Sequence, residues 1–417
     1  MRTRLVFVCL VLILVGLATR GGPHARAQNN RFTDRAFLSS PVVLGMGDAG
    51  VALAGTEQAL FYNPAHLPHL PSSFTVIGLQ AGASRSLPDQ IQFLNDRLQP
   101  AVRDGANRAG PSRAALEQDA RRLRSRPGRG EGGLTLPAFV YAPGALGIGG
   151  GIVAKTAVNY RVDAPDGRPP SLWTLSRTDF MAVLSMGLDL RVLGLRGLSV
   201  GVTGTQTRRF LAFKNKRLRD VRPREPAVVL EGGAFQLDGG VSYSVDSALP
   251  LPGTLRLGGA VYDLLRSGYG YDPGGPARLP FLNRVVDPGG TGSDAAPAAE
   301  QRTARQRFAL RPSYRIGAAY SVPRLFFLEG VNVAVDYQAY DDGALPVGAR
   351  LHLGAEARVV GPLTVRAGLG GGYPTAGMGL ELGALHVDYA LHGLEERRRF
   401  RGQPTYMHTA RLLVRLD

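Results

Sequence analysis

The chain has 417 residues, with 49 Lys and Arg against 33 Asp and Glu for a net charge of +16. Only Lys155, Lys214 and Lys216 are lysines, and the arginines are spread over the whole chain instead of forming one patch, which excludes nucleic-acid binding. The one cysteine, Cys9, lies in an N-terminal apolar run, so a disulfide framework or a cysteine-bound metal is excluded as well.

Arg2 and Arg4 precede the apolar run Leu5 to Ala18, and Ala25-Arg26-Ala27 offers a small-x-small cleavage site. The order is that of a cleaved export signal over residues 1–27, too short for a helix that spans a bilayer. Residues 28–72 show no sustained alternation. They hold Gly45-Met46-Gly47, Gly50 and Asn63-Pro64-Ala65. Thr56 is placed to cap a turn at 57–60, and Asn63 to cap a second one with Pro64 at its first position.

From residue 73 to 417 apolar and polar residues alternate, the period of strands with unlike faces. Fourteen segments are expected: 73–86, 134–143, 146–161, 172–192, 197–213, 227–246, 254–266, 307–322, 331–340, 347–359, 363–371, 376–382, 385–392 and 405–416. Odd-numbered connections are generally long (87–133, 162–171, 214–226, 267–306, 393–404) and even-numbered ones mostly tight. That order is the one a transmembrane antiparallel β-barrel gives, with short turns at one end and long loops at the other. No stretch after the leader resembles a transmembrane helix, so a membrane chain of this kind must close into a barrel to satisfy its backbone. Leu116, Ala120 and Leu123 predict a helical insertion over 88–126, and the Gly/Pro/Ala-rich stretch 267–306 a long loop. The 55 glycines read as tightly curved sheet.

On inward positions the alternation places Arg191, Arg311, Arg315, Asp336, Arg350, His352, Glu356, Arg366, Glu381, His386, Asp388 and Arg411. Two readings stay open for them. They form a positive lumen that attracts a carboxylate head group, or arginine–carboxylate ladders with Asp189, Asp336, Glu356, Glu381 and Asp388.

The segment Gly45-Met46-Gly47-Asp48-Ala49-Gly50-Val51-Ala52, the triplet Asn63-Pro64-Ala65, and the run from Val365 to Leu391 with Asp388-Tyr389-Ala390 together resemble the FadL-like outer-membrane superfamily, in particular its PorV/PorQ-type branch. The resemblance implies that 28–72 is a hatch, or plug, folded into a barrel formed by 73–417. It also implies a location in the outer membrane of a Gram-negative-type bacterium, in contact with outer-membrane lipid. The expected role is transport of a hydrophobic or amphipathic ligand such as a fatty acid; the alternative is an accessory of a type IX-like secretion machine, with that machine's proteins as partners. No cofactor, metal or enzymatic activity is expected.

Two motifs fail in their context. Gly45-x-Gly47-x-x-Gly50 has the spacing of a dinucleotide fingerprint but no strand before it and no acidic residue where one is needed. Gly197-Leu198-Ser199-Val200-Gly201 has the spacing of a hydrolase elbow, yet it lies within an alternating strand. A His386–Asp388 pair on one strand face fits a structural network better than catalysis.

Overall fold

The computed structural model describes residues 39–53, 55, 58–98, 100, 113–123, 127–163, 170–217, 228–247, 252–273, 312–340, 347–395 and 404–416. Residues 1–27, expected as an export signal, Thr56, Arg311 and most of 267–306 lie outside the described residues.

Fifteen strands form one sheet: β1 (Ser73–Ser84), β2 (Gly128–Tyr141), β3 (Leu146–Asp163), β4 (Ser171–Asp189), β5 (Leu198–Arg217), β6 (Val228–Ser247), β7 (Gly253–Tyr262), β8 (Gly270–Pro273), β9 (Ser313–Leu325), β10 (Leu328–Tyr340), β11 (Leu351–Val360), β12 (Leu363–Gly370), β13 (Tyr373–Leu382), β14 (Leu385–Glu395) and β15 (Pro404–Leu416). Each is antiparallel to its neighbours, β1 pairs with β15, and β5 pairs with β6, so the sheet closes on itself. The short β8 continues the line of β7 along β6, which leaves a ring of fourteen. Closure gives each of the fourteen ring strands two neighbours, and with them partners for the backbone groups that lipid could not satisfy; β8 pairs with β6 alone among the described residues.

The two faces are the reverse of a soluble protein's. The β4–β5 register runs without a shift from Ser171↔Arg217 to Asp189↔Ser199, so one parity faces inward along the whole pair. The outward parity carries Phe180, Leu184 and Met186, all exposed, with Leu184 at 63%. Phe74, Leu79, Ile152, Val333, Val365 and Met378 continue this apolar exterior on other strands. The inward parity buries Asp179, Arg209, Asp336 and Arg366. This is the pattern of a barrel whose outside meets hydrocarbon. Among the described residues no helix is long and apolar enough to cross a membrane.

Strand ends move for local reasons. The segment expected over 172–192 stops at Asp189, whose carboxylate accepts from the Arg191 N–H at 2.9 Å and starts a 3-10 turn over Leu190–Leu193. Arg191 therefore corrects the expectation that it lines the lumen: it sits in a connection, 56% exposed, 3.4 Å from Asp189. The segment 254–266 stops at Tyr262. Asp263 (φ 58°) and Arg266 (φ 52°) take left-handed conformations there and throw a bulge before β8. Pro137 falls at the β2–β3 register shift, where its missing donor leaves no ladder bond unmade.

The connections keep the long–short order with one exception. β12 and β13 meet at the long-loop end through Gly371-Gly372 alone, both at positive φ. On this side β11 to β13 are 8–10 residues long, whereas β3 to β6 run 18–20. The wall is thus taller on the β3–β6 side, by roughly 25 Å at strand rise and barrel tilt. Among the described residues of the 88–126 span are helices α3 (Leu87–Gln92) and α4 (Arg113–Leu123), with a π-turn Phe93–Leu98. They pack on the outside of that taller wall. Phe93, Leu98, Leu116 and Ala120 cluster with the outward Val162 and Leu172, and a Cβ on outward Gly128 would meet Gln90.

β9 and β10 are joined by Phe326-Phe327, with Leu325 paired to Leu328. Phe326 adopts φ 55°, a conformation glycine takes freely and an aromatic residue does not. Phe326→Gly is expected to raise stability by about 1 kcal/mol, seen as a higher midpoint in urea unfolding of the detergent-solubilised protein. A lowered midpoint would show that Phe326, 87% exposed in the chain alone, is held by something the strain argument leaves out.

Candidate functional site in the barrel lumen

Residues 39–70 make contact with inward positions around most of the ring. Helix α1 (Pro41–Gly45) starts at Ser40, whose hydroxyl accepts from Val42 N–H at 3.3 Å, with Pro41 at its first turn. Gly47 (φ 65°) then reverses the chain against β11 and β12, where the Leu353 and Leu369 carbonyls leave no room for a Cβ. Helix α2 (Ala59–Tyr62) is followed by a 3-10 turn over Pro64–His69. Asn63 caps that turn by accepting from Ala65 N–H at 3.2 Å. Its amide also donates to the carbonyls of Val51 (2.8 Å) and Val241 (3.1 Å), which ties it to β6.

The wall receives this segment on glycines. Gly187 of β4, Gly201 of β5 and Gly240 of β6 face Asn63, Pro64 and Ala65; a Cβ on Gly187 would stand 2.5 Å from the Pro64 carbonyl oxygen. On the opposite side Gly354, Gly368 and Gly377 face Gly45, Met46 and Gly47. Many of the glycines expected to serve sheet curvature thus serve close backbone approach.

Polar bonds complete the contact. Asp336 accepts from Gly50 N–H (2.7 Å) and Val51 N–H (2.9 Å) through one carboxylate oxygen. Arg315 donates to the Asp48 carboxylate at 2.9 Å, to the Asp48 carbonyl and to Gln338, and lies 3.5 Å from Asp336. Tyr62 OH donates to Asp48 at 2.7 Å. Thr375 accepts from Gly47 N–H and donates to the Gly45 carbonyl, both at 2.9 Å, and His352 Nδ1 lies 2.8 Å from the Gly47 carbonyl. Burial drives the pKa of His66 down to about 4, so its imidazole is neutral at pH 7. It must therefore carry its proton on Nε2 to bond the Val51 carbonyl at 3.0 Å.

The other inward candidates divide. Arg366 donates to Glu356 (2.8 Å) and Asp388 (3.1 Å), and Arg411 donates to Asp388 (2.9 Å). Glu356 also accepts from Asn332 at 3.0 Å. Glu381 stands exposed at the short-turn end, 3.2 Å from Arg358. Arg350 precedes β11 and reaches Tyr337 OH at 3.4 Å. His386 is buried, with no hydrogen-bond partner at Nε2 and no bond to Asp388. Arg315, Arg366 and Arg411 are therefore matched locally by carboxylates or by a carbonyl of the 39–70 segment, the arrangement of a ladder. Ser199 Oγ lies 2.8 Å from His69 Nε2. Ser199 is fully buried, and the pair joins the turn to the wall.

A second cluster, on the tall side, was not anticipated. Asp179 accepts from Arg209 at 2.6 and 3.0 Å, and Arg177 stands 3.3 Å away. Arg209 lies 4.0 Å over the Tyr269 ring. Beyond it, Trp173, Leu175, Leu211, Leu230, Ala234, Tyr269 and Tyr271 form an apolar cluster on the inner face. The signal was available in the shared parity of Trp173, Leu175, Arg177 and Asp179, but the Tyr269–Tyr271 contribution depends on the bulge at Asp263.

No family model matches the chain, and no curated protein matches it. Solved structures of similar outline include the toluene transporter TbuX of Ralstonia pickettii (15% identity, TM-score 0.49, covering 92% of this chain and 99% of that one). A Pseudomonas aeruginosa FadL homologue matches at 10% identity and a TM-score of 0.43, over 91% of this chain and 98% of that one. The translocator domain of the autotransporter NalP from Neisseria meningitidis matches at 9% and 0.35, over 82% and 87%. The assignment of a closed barrel rests on the strand pairing itself.

Proposed function

We propose that this chain is an outer-membrane β-barrel that passes hydrophobic or amphipathic small molecules, with 28–72 as its plug. The observation that carries the reading is the apolar, aromatic cluster around Trp173 and Tyr271 on the inner face. Barrel interiors are ordinarily polar, so apolar side chains there fit a cargo that water does not solvate. The apolar exterior and the export signal support the outer membrane as its place. The plug crosses the lumen from the short-turn end of β4–β6 to the long-loop end of β11–β13, and leaves the tall side of the lumen as the chamber where cargo would lodge.

The accessory reading, a PorV/PorQ-like part of a secretion machine, draws on that same closely packed plug. One deletion strain tests both. Slower uptake of hydrophobic compounds with an unchanged set of secreted proteins is expected, and extraction of the purified protein is expected to yield a bound amphiphile by mass spectrometry. Unchanged uptake, together with repeated extracts free of amphiphile, overturns transport; altered secretion with unchanged uptake supports the accessory role.

A further inference from the structure

The chamber's wall carries an acceptor-rich patch where β7 breaks. Asp263 donates its N–H to Asp238 at 2.7 Å, and one of its carboxylate oxygens accepts from Ser267 N–H (2.9 Å) and Ser267 Oγ–H (2.7 Å). The other oxygen, Oδ2, has no hydrogen-bond partner although the residue is 2% exposed. Gln236 Oε1 and Thr207 Oγ1 are in the same condition, on residues 5% and 0% exposed.

These groups share one stretch of inner wall. Asp238 and Gln236 are successive inward residues of β6, of the same parity as Gly240, which faces the plug's Asn63. Thr207 is inward on β5, opposite Ala234 and one step from the Thr205↔Gln236 pair. Buried acceptors without donors are rare in folded proteins; the Gln236 oxygen can only accept, and so can the Asp263 oxygen of an ionised carboxylate. What the patch lacks is therefore a donor.

The surroundings decide which donor. Arg209 is held on Asp179 by two hydrogen bonds and Arg177 stands 3.3 Å from the same carboxylate, so a carboxylate head would have to compete with Asp179 for them. No group of three His, Cys, Asp or Glu suited to a metal ion occurs among the described residues. Ala234, two residues from Gln236, belongs to the apolar cluster, so an apolar chain can lie directly above the patch.

We infer that Asp238, Asp263, Gln236 and Thr207 form a site for the protonated amine head of an amphiphile whose tail lies on the Trp173–Tyr271 cluster. The inference rests on the transport reading and names its substrate class. It differs from the carboxylate head group read from the sequence.

Trp173 is the single tryptophan, so its fluorescence reports on the cluster. The protein in non-ionic detergent is titrated at pH 7 with decylamine, decanoate and decanol. Decylamine is expected to bind at least tenfold more tightly than decanoate. Asp238→Asn keeps an oxygen for the Asp263 N–H and is expected to weaken decylamine at least tenfold while leaving decanol unchanged. Thr207→Val, which does not touch the bulge, is expected to weaken decylamine severalfold and guards against a folding defect in the first variant. Decanoate binding as tightly as decylamine, or Asp238→Asn and Thr207→Val both without effect, overturns the inference alone. Failure of all three ligands to bind overturns it together with the transport reading.

Discussion

Gly187→Ala is expected to release the Pro64–His69 turn from the barrel wall while the barrel itself stays closed. The added Cβ would stand 2.5 Å from the Pro64 carbonyl oxygen and 2.8 Å from Pro68 Cδ, neither of them the end of a flexible side chain. The turn cannot retreat, because Asn63 is bonded to Val241 and packed against Gly240, both on β6. Overpacking of this kind costs about 1–3 kcal/mol, and Gly201→Ala, against Pro64 and Ala65, should add to it. The wall's own pairing needs no change, since β4 and β5 meet through backbone bonds on either side of both glycines. Leu67, fully buried, serves as the reporter: in a Cys9→Ser, Leu67→Cys chain, maleimide labelling should quicken about tenfold or more with the alanine present. Labelling at the parental rate would mean that the turn is not seated on these glycines.

The division between what could be read from the chain and what could not follows from the range of the interactions. Alternation is local, so most of the fourteen segments have the boundaries of real strands to within a few residues; β2 and β9 are displaced by about six. Asp189 and Asp263 show where local reading stops. Each breaks its strand by turning a side-chain oxygen onto a nearby backbone N–H, a competition that a period-two pattern does not register. Gly45, Gly47 and Gly50 were visible as a motif, whereas the wall's glycines were not visible as its counterpart. Gly187, Gly201, Gly240, Gly354 and Gly377 lie far apart in sequence and meet the plug only after closure. Likewise Arg315 could be placed on an inward face, but its partner Asp48 is 267 residues away. A periodicity gives a side chain's direction and leaves its partner open.

Arg315→Met is expected to destabilise the protein by roughly 3–5 kcal/mol, the cost of leaving buried charge without its partner. Arg315 is 1% exposed and Asp336 fully buried, and Asp48 on the plug is nearly so. Removing the guanidinium leaves two carboxylates close together with nothing positive between them, on a plug already tied to Asp336 through Gly50 and Val51. The triple variant Asp48→Asn, Arg315→Met, Asp336→Asn removes all three charges and keeps an oxygen for the Gly50 and Val51 N–H groups, so most of the loss should return. Urea unfolding and plug labelling of the single and triple variants measure both parts. The comparison separates the two roles open to an inward arginine. A residue placed to receive a ligand's carboxylate would, on substitution, lower ligand affinity and leave the unfolding midpoint nearly where it was. A latch between plug and wall would lower the midpoint and be rescued by neutral partners, whatever ligand is present. The distances around Arg315 are those of the latch, and rescue by the triple variant is the result that only a latch predicts.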